Sequence, residues 1–181
     1  MNILQLCFFT DLWHSKHSVT SIDIKTGIDI LTLSDDVGKE FDFIVAAPPC
    51  DQFTLAAAWM WEKYPDYFIK VAKKCYQICI NSGKEWIYEN PPGRIEKFLP
   101  ELKPYRIMTW QSSYCNKQYV IYSNLLFMTG HNERYGHSSK VHNQAKKTRE
   151  AWLPELVKDI EIILHDRPAE GRSKVPCEFI M

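Results

Sequence analysis

FDFIVAAPPCDQFT, residues 41–54, is the stretch that decides how this chain folds and where it acts. Phe41, Phe43, Ile44 and Val45 form an apolar run suited to a buried central strand, and Pro48-Pro49 stops that run and stiffens its exit. Cys50 follows at once, at the rim of an α/β sheet, which is where such sheets bind their ligands. A cysteine taken alone is most often a small buried apolar residue. The two prolines point instead to a presented thiol, provided that a second motif agrees.

That motif is EWIYENPPG, residues 85–93, a second apolar strand that ends in an acid, Glu89, and an amide, Asn90. Between the two, Asp66 is a good helix N-cap, and Ile69, Ala72, Tyr76, Cys79 and Ile80 recur at three- and four-residue steps until Asn81-Ser82-Gly83 stops the helix. Strand, helix and strand make a right-handed crossover, so Cys50, Glu89 and Asn90 are expected on one sheet edge. Working outward, strands are expected at 2–9 and 19–24. A short region, 27–33, runs into the acidic turn Ser34-Asp35-Asp36, and further strands follow at 105–110 and 119–128. Residues 131–148 read as a long loop. A last helix carries Leu156, Val157, Ile160, Ile163 and Leu164. This alternation of strands and helices predicts an α/β sandwich.

The bounds fit one domain spanning 1–181. The chain has 181 residues and 45% apolar content, as in a globular protein. No apolar run approaches the roughly 20 residues of a membrane span, so a soluble, intracellular protein with no membrane partner is expected. The six cysteines sit mainly in apolar periodic segments and read as free thiols. Cys75 and Cys79 share a helix face, but no CxxC or HxxxH accompanies them, and no metal site is expected. Net charge is zero, yet residues 1–50 carry seven acids against three lysines. Residues 131–149 carry Arg134, Lys140, Lys146, Lys147 and Arg149 against Glu133, a segment suited either to phosphate or to plain solvation.

Pro-Pro-Cys and Glu-Asn-Pro, in this order and one helix apart, resemble the motifs of the DNA cytosine carbon-5 methyltransferases, most closely the small phage and algal-virus members, which suggests a viral origin. SIDIKTGIDIL, residues 21–31, is similar to that family's cofactor strand and the element after it, and YCNKQYVIYSN, residues 114–124, to a shortened form of its late motif. The resemblance narrows the α/β sandwich to the S-adenosylmethionine-dependent methyltransferase fold, Rossmann-like with a mostly parallel sheet. It also implies the chemistry. Carbon 5 of cytosine is a poor nucleophile until a thiolate adds to carbon 6, so Cys50 would form the adduct and Glu89 would stabilise it at ring nitrogen 3. Pro49, Asn90, Lys117 and Gln118 would face the substrate. Asp23, Ile24, Asp29 and Pro48 would hold S-adenosylmethionine, with Asp23 on the ribose hydroxyls and Asp29 on the adenine amino group. The partner would be DNA, with its cytosine flipped out or single-stranded.

The chain departs from that family in three places. Cys7-Phe8-Phe9-Thr10-Asp11-Leu12-Trp13 stands where a glycine-rich turn is expected, with no glycine before Gly27. The late arginines are replaced by Lys117 and Gln118, which lack a guanidinium's bidentate reach. No room is left for a separate target-recognition domain. The alternatives are therefore a catalytically impaired relative that binds nucleic acid or a protein, and an enzyme of another kind that uses Cys50 on a pyrimidine or nucleotide.

Overall fold

The structure is a computed structural model, and it describes residues 1–7, 16–53, 66–91, 93–111 and 118–125. Six strands form one sheet in the order β2-β1-β3-β4-β6-β5. They are β1 (Asn2–Leu6), β2 (Ser18–Ile22), β3 (Phe43–Ala46), β4 (Glu85–Asn90), β5 (Arg106–Gln111) and β6 (Gln118–Ser123). β3 and β4 are the central pair, and their apolar runs are buried on both faces: Phe43, Ile44, Val45, Trp86, Ile87 and Tyr88 are all at most 1% exposed. Such strands read as continuous apolar segments because neither face meets water.

α1 (Tyr67–Ser82) joins β3 to β4 and ends at Gly83, whose left-handed φ of 61° suits a residue without a Cβ. Val71, Ala72, Cys75, Ile78 and Cys79 from α1 pack on Leu4, Leu6, Ile44, Ala46, Trp86 and Tyr88 of the sheet. Alternation along the strands sends Ile3, Phe43, Val45, Ile87 and Ile121 to the opposite face, in a smaller second cluster. Gly38 allows close approach on the first face: a Cβ there would lie 2.7 Å from Ile44 Cδ1 and 2.9 Å from Ser82 Cβ.

The expected Rossmann-like, mostly parallel sandwich is not what forms. β1 pairs with β2 and β3, and β3 with β4, in parallel, but β6 is antiparallel to both β4 and β5. The sheet is mixed. The cause is connection length, because a parallel neighbour needs a crossover of about a dozen residues or more, whereas six residues separate β5 from β6. Helical cover is also thin. Residues 23–42 hold only the 3-10 turns Ile24–Thr26, Ile30–Thr32 and Val37–Glu40, and after β4 come the single turn α2 (Ile95–Phe98) and the 3-10 segment Pro100–Tyr105. The expected loop at 131–148 and the last helix lie outside the described residues. No helix among the described residues is long and apolar enough to cross a membrane.

Four titratable groups are built into the α1-facing core. Burial pushes the Cys75 and Cys79 thiols above their ordinary value of 9.0 and the Tyr88 phenol above 10.0. Tyr122 is raised by burial and by Glu96, to which it donates a 2.9 Å hydrogen bond. In the unfolded chain these groups ionise at their ordinary values, so above pH 9 the folded state holds more protons than the unfolded one. Stability is therefore expected to be insensitive to these groups below about pH 8 and to fall above about pH 9, each contributing up to about 1.4 kcal/mol per pH unit. Urea midpoints measured from pH 7 to 11 check this, and Cys79→Ala should show a shallower alkaline slope.

Candidate functional site

β3 runs out at Ala46, and the chain continues through buried Pro48 and half-buried Pro49 and Cys50 into a turn closed by Phe53 N–H donating to Cys50 O at 2.9 Å. Among the described residues, three neighbours hold this turn. Asn90 Nδ2 donates to Pro48 O at 3.1 Å from the end of β4. Arg94 N–H donates to Phe53 O at 2.9 Å, and Phe53, fully buried, packs on Phe98 with ring centroids 6.0 Å apart. Gln52, 3% exposed, accepts from Ile69 N–H at 3.2 Å in the first turn of α1. The Arg94 guanidinium lies over the Phe98 ring, 5.2 Å from its centroid.

β3 and β4 are parallel neighbours with Ala46 opposite Tyr88, so Ala47 and Pro48 come abreast of Glu89 and Asn90. The structure thus brings Cys50, Glu89 and Asn90 to one sheet edge. It also separates Glu89 from Asn90. Consecutive strand residues project to opposite faces, and Glu89, 6% exposed, shares the face of Ile87, whereas Asn90, 1% exposed, shares the α1 face of Tyr88. The carbonyl of Pro48 can only accept, which fixes the Asn90 amide with Nδ2 toward it. Asn90 Oδ1 is then a buried acceptor with no hydrogen bond among the described residues. Holding Pro48 is what the Asn90 side chain does here.

On the same sheet edge, Cys7 takes up the left-handed backbone, φ 54°, at the exit of β1, and its N–H donates to Ile22 O at 2.8 Å. A glycine would adopt that conformation without steric cost. Phe8, Phe9 and Trp13 lie outside the described residues. Asp23, just past β2, accepts from Lys25 N–H through Oδ1 at 2.7 Å and closes a capping box with Thr26. Asp29 accepts from Leu31 N–H through Oδ1 at 2.9 Å. Each aspartate is thus a turn cap whose carboxylate accepts from local backbone N–H groups. Ile24 and Ile28, beside them, are 65% and 40% exposed, unusually open for large apolar side chains.

Tyr67, the first residue of α1, joins this group. Burial pushes its phenol up first, and the nearby Asp29, Cys7 and Asp23 push it further. Nothing in the sequence singles out Tyr67, because a tyrosine at a helix start looks like ordinary packing. Gln52 and Arg94 likewise carry no local motif. Asn124 brackets the start of β4, accepting from Trp86 N–H at 2.9 Å and donating to Lys84 O at 2.8 Å. Gln118 begins β6 opposite Gln111. Lys117 lies outside the described residues. Cys7 Sγ and Cys75 Sγ are 4.0 Å apart, and no group of three His, Cys, Asp or Glu among the described residues is placed to hold a metal. No model of a known protein family matches the chain, and no curated protein matches it either.

Proposed function

We propose that the chain transfers a methyl group from S-adenosylmethionine to carbon 5 of cytosine in DNA, through a covalent adduct on Cys50. The observation that carries this reading is the bond from Asn90 to Pro48, which ties the Cys50 turn to the strand end bearing Glu89. The Cys50 thiolate adds to carbon 6 of the flipped base, and the electron pair moves toward nitrogen 3. Glu89 meets the developing charge there with a proton or hydrogen bond, leaving carbon 5 enamine-like. The cofactor, when bound, supplies the electrophilic methyl. The carbon-5 proton then leaves to a base and Cys50 is expelled.

The residues around Asp23 fit that cofactor. Asp23 and Asp29 stand just past β2 with carboxylates that accept hydrogen bonds, which suits ribose hydroxyls and an adenine amino group. Exposed Ile24 offers an apolar surface for a flat ring. Titration calorimetry with S-adenosylmethionine tests the reading. Native protein is expected to bind in the micromolar range, and Asp23→Ala to lose at least tenfold, as a group accepting charge-assisted hydrogen bonds would. Absence of binding at millimolar cofactor would reject methyl transfer and favour a protein that binds nucleic acid or a partner without catalysis.

A further inference from the structure

We propose that Gln52 is a positioning residue for Cys50, and that it acts by capping α1 in place of Asp66. The first turn of a helix leaves its N–H groups without intrahelical partners, and the residue at the N-cap position normally supplies the acceptor. Asp66 stands at that position with φ −127° and ψ −12°, and its side chain makes no capping hydrogen bond. The acceptor comes from Gln52, seventeen residues earlier in the chain, whose Oε1 takes Ile69 N–H at 3.2 Å. Gln52 lies within the four-residue turn that Phe53 N–H closes onto Cys50 O. The bond that completes the helix is therefore also the bond that fixes the nucleophile's turn against the helix.

The same turn is held from the β4 side by Asn90 and from the α2 side by the Arg94 backbone. Among the described residues, Gln52 is an anchor on the side of α1. Burial at 3% exposure keeps water from competing for its amide. Cutting this anchor frees the turn about the other two, and a displacement of about 1 Å at a reacting atom is enough to cost on the order of 10²-fold in rate.

The role in catalysis rests on the function proposed above, so the test includes a readout that does not need it. Gln52→Ala, Gln52→Glu and Asp66→Ala are compared with native protein in the full-length chain. The readouts are the iodoacetamide alkylation rate of Cys50, mapped by mass spectrometry, the thermal midpoint, and methyl transfer to DNA. Gln52→Ala is expected to speed Cys50 alkylation several-fold and to lower kcat by about 10²-fold with KM for the cofactor unchanged. Gln52→Glu keeps the acceptor and should restore both, and Asp66→Ala should leave all three readouts near native. Gln52→Asn, with a shortened reach, carries the same test if Gln52→Ala does not fold. A lower midpoint for Gln52→Ala with unchanged Cys50 alkylation would overturn the proposal, leaving Gln52 a helix cap and nothing more. If native protein transfers no methyl group, the function falls, and the alkylation rates decide the positioning role alone.

Discussion

Cys50→Ser is expected to lower methyl transfer to cytosine by on the order of 10⁴-fold or more while shifting unfolding by no more than about 1 kcal/mol. The two expectations have separate causes. Thiol and hydroxyl differ little in size, and Cys50 is half-buried beyond the end of β3 rather than in the core formed by α1 and the sheet. The substitution therefore opens no cavity. A serine hydroxyl, however, stays protonated near neutral pH and has no thiolate-like nucleophilicity, so carbon 6 is not attacked. DNA containing 5-fluorocytosine sharpens the test, because fluorine at carbon 5 cannot leave as a proton and the base stays bonded to Sγ after transfer. Native protein should yield a complex that survives denaturing electrophoresis, mapped to Cys50, and Cys50→Ser should yield none. Transfer persisting in the serine variant would falsify the covalent route.

The parts of this arrangement that were legible in the sequence are those set by local physics. The apolar run before Pro48-Pro49 reads as a buried strand because nothing in it tolerates water, and β3 is buried along its whole length. The step pattern from Ile69 to Ile80 marks α1, and Gly83 marks its end. Parallel pairing of β3 and β4 follows from one helix between two strands. The mixed sheet has a local cause too: six residues between β5 and β6 cannot hold a crossover, and that shortness dictates an antiparallel pair.

Other features depended on contacts between distant residues, and no local pattern encodes these. Asp66 has the composition of a cap, but the contact is made by Gln52, and only the packing of the Cys50 turn on α1 decides between them. Asp23 and Asp29, by contrast, make the local turn caps that their sequence context allows. Each caps a turn through Oδ1. The glycine-free loop was read from composition, whereas the left-handed backbone falls on Cys7, held by the Ile22 carbonyl and packed against Cys75.

Glu89→Gln carries the second large effect. Glu89 and Asn90 follow one another, yet alternation sends them to opposite faces: Asn90 holds Pro48, and the proposed mechanism assigns the base to Glu89. Glutamine is nearly isosteric with glutamate and retains an acceptor and a donor, so packing at this 6% exposed position beside Ile121 of β6 should survive. What the amide cannot do is transfer a proton to nitrogen 3 as Cys50 adds to carbon 6. The expected result is a kcat lower by 10²- to 10⁴-fold, the usual range for a general acid or base, with DNA affinity within about threefold of native. Trapping on 5-fluorocytosine should slow by the same factor rather than vanish, because the nucleophile is intact and only stabilisation of the adduct is lost. That partial, proportionate loss separates Glu89 from Cys50. If Glu89→Gln instead weakened DNA binding while single-turnover transfer stayed native, Glu89 would be a binding group, and stabilisation of the adduct would have to come from another residue.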